Sequence, residues 1–367
     1  MATVFGPKRS LLGNIYAGGT FTDYDSTGYQ FFTKFDSSYN LYTNEPYSAT
    51  SFDSNVRSIV SYTSRRVLIG GQFSSYNGES NNLLVSIDFD GYPDRLFKTY
   101  SKIEGTYVKT IAVDKYDRVI IGGLLTGYNG TYTVGNIMRL NSDGSYDTSF
   151  NTGTGFDAEV NSIAIQNDGK ILVGGEFTTF TGDSAYQYIV RLNEDGSIDG
   201  TFSIPGLINN FINTILFDSY DGTIIVGGEF NDAGSGFMAR LTTNGDTVIT
   251  DYRADNSVIT LAFDSKRRIL AGGSFGFIFV NKQRDKLVRI NSDDTSDDNF
   301  DTKDAFDQRV RCVDVDLNDN VYAGGQFTTY RGNTANRLIK LDGLNADKIE
   351  VFNYTDNQVS AVLISNQ

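Results

Sequence analysis

Seven pairs of adjacent glycines recur along the chain, at Gly18-Gly19, Gly70-Gly71, Gly122-Gly123, Gly174-Gly175, Gly227-Gly228, Gly272-Gly273 and Gly324-Gly325. The steps between them are 52, 52, 52, 53, 45 and 52 residues. Each pair follows three or four mostly apolar residues, as in Ile171-Leu172-Val173 before Gly174. A fixed period of this size marks an array of one supersecondary unit. Segments within the unit show strand alternation or β-branched runs and no helical period, so each unit reads as a small β-sheet and the array as a β-propeller.

Dividing 367 residues by a period of 52 gives about seven units. Glycine is abundant at 38 and proline scarce at 4, which suits many short strands joined by glycine and Asx turns. Unit four is the most regular, with strands expected over 160–165, 170–177, 188–193 and, briefly, 198–202. Asn167-Asp168-Gly169 and Glu194-Asp195-Gly196 supply the turn chemistry between them. A glycine pair inside a strand implies a bulge or a close backbone approach between blades.

Six units carry a strand 14 or 15 residues upstream of the glycine pair, beginning at Val56, Val108, Val160, Ile212, Val258 and Val310. Unit one has none, whereas the chain ends in such a strand, Val359 to Ser365, with no glycine pair after it. The expected fold is therefore all-β, a seven-bladed propeller of four-stranded antiparallel blades. Its ring is closed by the C-terminal strand (359–365) completing the N-terminal blade, which removes two open sheet edges. Residues 1–10 lie outside the period and are expected to form a disordered lead or a docking arm, with 11–367 as one propeller domain.

The charge balance, 45 acidic against 31 basic residues for a net −14, opposes a nucleic-acid partner. The absence of histidine removes the commonest general base and most zinc and copper sites. Cys312 has no disulfide partner and sits in an apolar run, as a buried free thiol. No stretch has the apolar core of a signal peptide or the roughly 18 apolar residues of a membrane span. Asp293-Asp294, Asp297-Asp298 and Asn318-Asp319-Asn320 are rich in oxygen but lack calcium-loop spacing, so turn formation is expected of them. Gly153-Thr154-Gly155 precedes no helix, which fails the context of a phosphate cradle. No catalytic residue, metal ligand or cofactor is proposed.

The third strand carries a basic residue in six of seven units: Lys34, Arg139, Arg191, Arg240, Arg289 and Lys340, with Ser86 as the exception. Two readings stand, pairing with an acidic residue of a neighbouring strand or blade, or a basic ring for anions. Aromatic residues recur after the glycines as Phe21 and Tyr24, Phe73 and Tyr76, Phe177 and Phe180, and Phe327 and Tyr330, with Leu125 and Tyr128 as a variant. They suit a core between blades, or a comb for stacking sugars. In unit six the connection after the pair turns apolar, Phe277-Ile278-Phe279-Val280, which is either a contact loop or packing against the shortened fifth blade.

The stretch from Asn141 to Phe150, then Thr152 to Phe156, then Val160 to Phe177 resembles the delta-sixty β-propeller repeat. The likeness is strong in units three and four, clear in two and seven, and weaker in one, five and six. A looser likeness to kelch propellers, in the apolar run ending in two glycines, lacks the kelch tryptophan. Repeats of the delta-sixty type occur in bacterial surface or secreted proteins and in phage structural proteins. Taken with the missing signal-peptide core and the missing catalytic repertoire, the resemblance leads to the expectation of a non-enzymatic structural or adhesion component of a bacteriophage virion, in its tail, fibre or baseplate region. The alternative is a bacterial surface or secreted module that binds carbohydrate or peptide. Expected partners are other virion or surface proteins and host glycans, with no nucleic acid and no membrane insertion. An enzyme with a carboxylate pair at the channel mouth is a third reading, for which the sequence singles out no pair.

Overall fold

The apolar run that ends in each glycine pair forms the second strand of a blade, and it is buried along its whole length in Ile15–Gly19, Ile171–Gly175, Ile269–Gly273 and Val321–Gly325. Both faces of such a strand are covered, which is why the run is continuous rather than alternating. The structure, a computed structural model, describes residues 14–43, 52–63, 65–97, 102–204, 206, 208–232, 236–248, 250, 252–279, 282–352 and 355–364. The expected arm 1–10, Val280 and Ser365 lie outside them.

Among the described residues the second strand pairs antiparallel with a first strand on one side and a third on the other, in seven blades. In blade four these are Val160–Ile165, Ile171–Gly175 and Ile189–Leu192. The first strand is bulged opposite the glycine pair: Val160 faces Gly175 and Ser162 faces Gly174, leaving Asn161 extra. The same shift recurs between Val56 and Ser58, Ile212 and Thr214, Val258 and Thr260, and Val310 and Cys312. Blade three departs most, its first strand running from Ile103 to Val113, five residues longer at the start than expected.

Ring closure is direct. The last strand, Val359–Ile364, pairs antiparallel with Ile15–Gly19, Ile15 facing Ile364 and Gly18 facing Ala361. The buried apolar side chains fall into seven clusters, each spanning one junction between consecutive blades. The junction of blades seven and one joins Cys312, Tyr322 and Leu338 to Ile15, Phe35 and Val362, as that of four and five joins Leu172 and Ile189 to Ile212 and Val226.

The expected four-stranded blade needs one qualification. Among the described residues an outer strand forms in blade five, the two residues Thr247–Val248, and in blade seven, Lys348–Val351. In the other five it shrinks to one bridge, as at Leu192 and Ile198 or Leu140 and Tyr146. In blade four the cause is Asp199. Its amide donates to the carbonyl of Arg191 (2.8 Å), and its carboxylate then takes the amide of Thr201 (3.1 Å), turning the chain off the sheet.

Candidate functional site

The glycine pairs are structural, with two different tasks. A Cβ at Gly174 would lie 2.5 Å from Cγ2 of Ile212, the first residue of the next blade's inner strand, and one at Gly70 would lie 2.7 Å from Cγ1 of Val108. Gly18, Gly122, Gly227, Gly272 and Gly324 stand in the same relation to Val56, Val160, Val258, Val310 and Val359. The second glycines, Gly19, Gly71, Gly123, Gly175, Gly228, Gly273 and Gly325, instead meet a carbonyl of their own blade beside the bulge, such as that of Glu159 for Gly175. Both implications of a glycine pair in a strand are realised, one by each residue.

The third-strand cations are buried in pairing, not displayed as a ring. Arg191 donates from Nε to Asp199 (2.6 Å), from Nη2 to Thr201 (3.1 Å) and from Nη1 to the carbonyl of Thr243 in blade five. Arg139 repeats this with Asp147 (2.6 Å), Ser149 and the carbonyl of Glu194, and Arg289 with Asp297 (2.9 Å) and the carbonyl of Gly343. Arg240 reaches Asp294 of blade six (2.7 Å), Lys34 the carbonyl of Phe89 in blade two, and Lys340 the hydroxyl of Tyr39 in blade one (2.7 Å). Each acceptor lies in the turn between third and outer strands of the following blade. At the junction of blades two and three, where Ser86 cannot reach, the Tyr62 hydroxyl donates to the carbonyl of Ser142 (2.7 Å) and Arg66 takes Asp94. Seven clasps thus run round the ring. The aspartate eight residues after the basic residue went unremarked in the sequence, although Arg139/Asp147, Arg191/Asp199 and Arg289/Asp297 repeat the spacing.

The recurrent aromatics are core. Phe177 and Phe180 pack on Phe156 with ring centroids 4.3 and 4.7 Å away, and Phe327 and Tyr330 on Phe306 at 4.8 and 4.9 Å. Phe21, Tyr24, Phe73, Tyr76, Leu125 and Tyr128 are likewise buried. In the apolar connection of blade six, Phe277–Phe279 is a short strand, and Ile278 is fully buried with Ile225 and Met238 of blade five. At Ile278 the packing alternative holds, since alternation in a strand turns it toward the shortened neighbour.

What remains open to a partner is the face formed by the turns between first and second strands and between third and outer strands. Among the described residues, five of the eight exposed large hydrophobic side chains lie there: Tyr116, Tyr220 and Leu317 on the first kind of turn, Tyr92 and Leu344 on the second. Tyr220 is 79% exposed, with the Arg267 guanidinium 4.2 Å from its ring centre, and Arg267 is itself held by Asp218 and by Asp221 (2.8 Å). Tyr116 carries Arg118 at 4.9 Å and rims a cleft between blades three and four lined by Asp114, Arg118, Asn167 and Glu194. Burial works against charge on Arg118, but Glu194 and Asp114 more than offset it and raise its proton affinity, so it is a fixed cation. The Tyr116 ring carries Lys115 at 5.0 Å as well as Arg118, and the exposed Tyr220 ring, braced by Arg267, offers its surface for stacking or apolar contact. The acidic clusters are engaged elsewhere: Asp293 holds the amide and hydroxyl of Thr295, Asp297 pairs with Arg268 and Arg289, and Asp319 accepts from Ser265.

Seven antiparallel blades closed by a shared strand make this molecule a β-propeller. Its fold is similar to that of the WD40 β-propeller domain of Doa1, at 14% identity, 91% of this chain and 93% of that one covered, and a TM-score of 0.55. A streptogramin B lyase (14% identity, 94% and 89% covered, TM-score 0.49) and virginiamycin B lyase from Staphylococcus aureus (16%, 81% and 84%, TM-score 0.48) are more distant in shape. Four stretches, 117–150, 166–202, 221–247 and 267–300, match the family described as a β-propeller domain of unknown function, DUF5122. Each begins at or near the turn before a second strand and runs through the third, so the family's unit is the glycine-pair strand joined to the third strand and the turn after it. The matches fall in blades three to six. No curated protein sequence matches the chain.

Proposed function

We propose that this chain is a non-enzymatic structural or adhesion component of a bacteriophage particle, in its tail, fibre or baseplate region. It acts there as a rigid disc that meets protein or glycan through the hairpin-turn face. The observation that carries the contact surface is the placement of Tyr116 and Tyr220 at equivalent turn positions, exposed and braced by Arg118 and Arg267. The inter-blade clasps support rigidity, and the engagement of the third-strand cations and acidic turns in pairing supports a non-enzymatic role. The virion setting rests on the resemblance of 141–177 to repeats also found in phage structural proteins. A bacterial surface or secreted carbohydrate-binding module would use the same tyrosines.

The test is mass spectrometry of purified phage particles beside host envelope and culture supernatant. Stoichiometric recovery with tail proteins is expected, and recovery from envelope or supernatant alone sinks the virion reading. Tyr116→Ala with Tyr220→Ala should then lower particle adsorption or assembly without changing Tm, and unchanged adsorption and assembly would remove the contact face.

A further inference from the structure

The first strands touch one another in ring order, so the extra residue at each of their bulges stands where the blades converge. These residues are Arg57, Lys109, Asn161, Asn213, Ile259, Arg311 and Ser360. Most of the polar ones reach forward to the next blade. Lys109 Nζ meets Asn161 Oδ1 and Glu159 Oε1, both at 2.6 Å, Asn161 Nδ2 donates to the carbonyl of Ile212 (2.8 Å), and Asn213 Nδ2 to that of Val258 (3.2 Å).

The relay breaks at blades seven and one. Arg311 adjoins a blade whose bulge residue is the short Ser360, and Arg57 holds the equivalent position in the blade beyond. The Nε atoms of both arginines are buried with no hydrogen-bond partner, and neither makes an ion pair among the described residues. Other arginines with such an atom, Arg240, Arg268 and Arg284, are each neutralised by an aspartate. Among the described residues the partner of the Arg57 guanidinium is the Tyr107 ring of blade three, at 4.1 Å. Burial works most strongly against charge on Arg311, Arg309 and Arg57 repel it, and only the buried Cys312 thiol beside it acts the other way, so its proton affinity is lowered. Two of the nearby carboxylates are already engaged: Asp314 accepts from the amides of Ile364 (2.7 Å) and Val315 (2.8 Å), and Glu159 pairs with Lys109 and accepts from the Tyr107 hydroxyl (2.7 Å). Two half-buried cations at equivalent bulge positions on either side of Ser360, with no ion pair among the described residues, are unfavourable, and an anion between them reverses the sign.

We infer that Arg57 and Arg311, with the exposed Arg309 at the rim, form a binding site for one anionic group, a carboxylate, phosphate or sulfate of a ligand. The site lies at the end of the axis where the first strands begin. That end is opposite the hairpin-turn face, so it stands independently of the contact surface proposed above.

Sulfate is the probe, with the full chain, at ionic strength matched by chloride. Wild-type Tm should rise saturably with sulfate, and Arg311→Gln or Arg57→Gln should shift the half-effect concentration up by about tenfold or more. Lys115→Gln, on the other face, should respond as wild type. Without sulfate, Arg311→Gln should match or exceed wild-type Tm, whereas a purely structural arginine would lower it. Equal responses to sulfate and chloride, or equal responses in wild type and Arg311→Gln, would overturn the site. Selenate soaked into wild-type crystals gives a readout that needs no variant: an anomalous peak bridging Arg57 and Arg311 supports the site, and its absence there sinks it. Displacement of sulfate by glucuronate or by inorganic phosphate shows which anion the site favours, and displacement by neither counts against it.

Discussion

The guanidinium of Arg191 in blade four donates to the backbone carbonyl of Thr243 in blade five, while its Nε is held by Asp199 at 2.6 Å. One side chain therefore fastens its own outer strand and the neighbouring blade together. Arg191 is 3% exposed and Asp199 is buried beside it, so the pair is desolvated. Burial works against the Asp199 carboxylate, but hydrogen bonds from Lys170, Thr201 and Arg191 hold its pKa far below the usual range.

Arg191→Ala leaves that carboxylate to Lys170 (2.8 Å) and Thr201. Breaking one half of a buried pair typically costs about 3–5 kcal/mol, and with Lys170 still in place urea unfolding should show a loss toward the lower end of that range. Arg191→Met with Asp199→Leu removes both charges and should recover most of it. A double variant as unstable as Arg191→Ala would mean that the Thr243 carbonyl, not the ion pair, is the dominant partner.

Gly174→Ala drives a Cβ to 2.5 Å from Cγ2 of Ile212, a β-branched side chain fixed in the next blade's inner strand. Overpacking of this kind costs about 1–3 kcal/mol. Ile212→Ala removes that Cγ2, so the double variant should be less destabilised than the two single losses added together. Gly182→Ala is the reference: φ is +83° but nothing lies within 4 Å, so only the backbone strain of about 1 kcal/mol applies. Equal losses at Gly174 and Gly182 in thermal unfolding would mean that the blades yield at the contact.

Alkaline pH should stabilise the protein through Lys34. Burial is the main cause that lowers its pKa from 10.5 to about 8, against the pull of Asp90, Asp88 and Asp36. Between those two values the unfolded chain binds the proton and the folded one does not, so stability rises with pH across that window. The gain should be on the order of 2 kcal/mol. It should vanish in Lys34→Met, so the difference between the two proteins' unfolding free energies at pH 7.5 and pH 10.5 measures it.

Acid should act at the connections into the first strands. Asp157 takes the amide (2.8 Å) and hydroxyl (2.7 Å) of Thr178 and the amide of Thr179 (2.9 Å), and Asp53, Asp307 and Asp356 do the same for their blades. Slight desolvation raises the Asp157 pKa, yet these hydrogen bonds outweigh it and depress the value below 3.8. The folded pKa being lower, its contribution is complete above 3.8 and is lost as pH falls through the depressed value. Asp157→Asn should cost about 1 kcal/mol at neutral pH because the group is solvent-screened. It should also flatten the acid limb of the stability profile, and an acid limb unchanged in the variant would place the titration elsewhere.

The period, the closure and the tight glycine contact were legible because each is written in local spacing: a residue without a side chain must recur wherever two strands approach. The shortened outer strands were not. They follow from Asp199 and its equivalents serving as salt-bridge partner and turn former at once, and a pattern of apolar alternation is blind to that. Ile278 shows the same limit in the candidate loop, since an apolar run does not say which of its residues faces the neighbouring blade. Arg57 and Arg311 were hidden more deeply. Their proximity depends on a bulge that places them alike and on Ser360 lying between them, from opposite ends of the chain.

Closure by Val359–Ile364 yields the strongest expectation for the whole fold. Val359, Leu363 and Ile364 are buried, and the strand satisfies one edge of Ile15–Gly19. Its removal exposes several apolar side chains, each worth about 1.5–3 kcal/mol, and also leaves a bare sheet edge and an open junction against Cys312 and Tyr322. A chain ending at residue 355 should therefore melt far below the full chain or associate edge to edge, as read by calorimetry and light scattering. A synthetic peptide spanning 356–367 should restore the melting temperature in a concentration-dependent way, because the strand acts through pairing rather than connectivity. A truncated chain that stays monomeric with an unchanged Tm would show that the ring closes with blade one lacking its first strand, and the shared strand would lose its role.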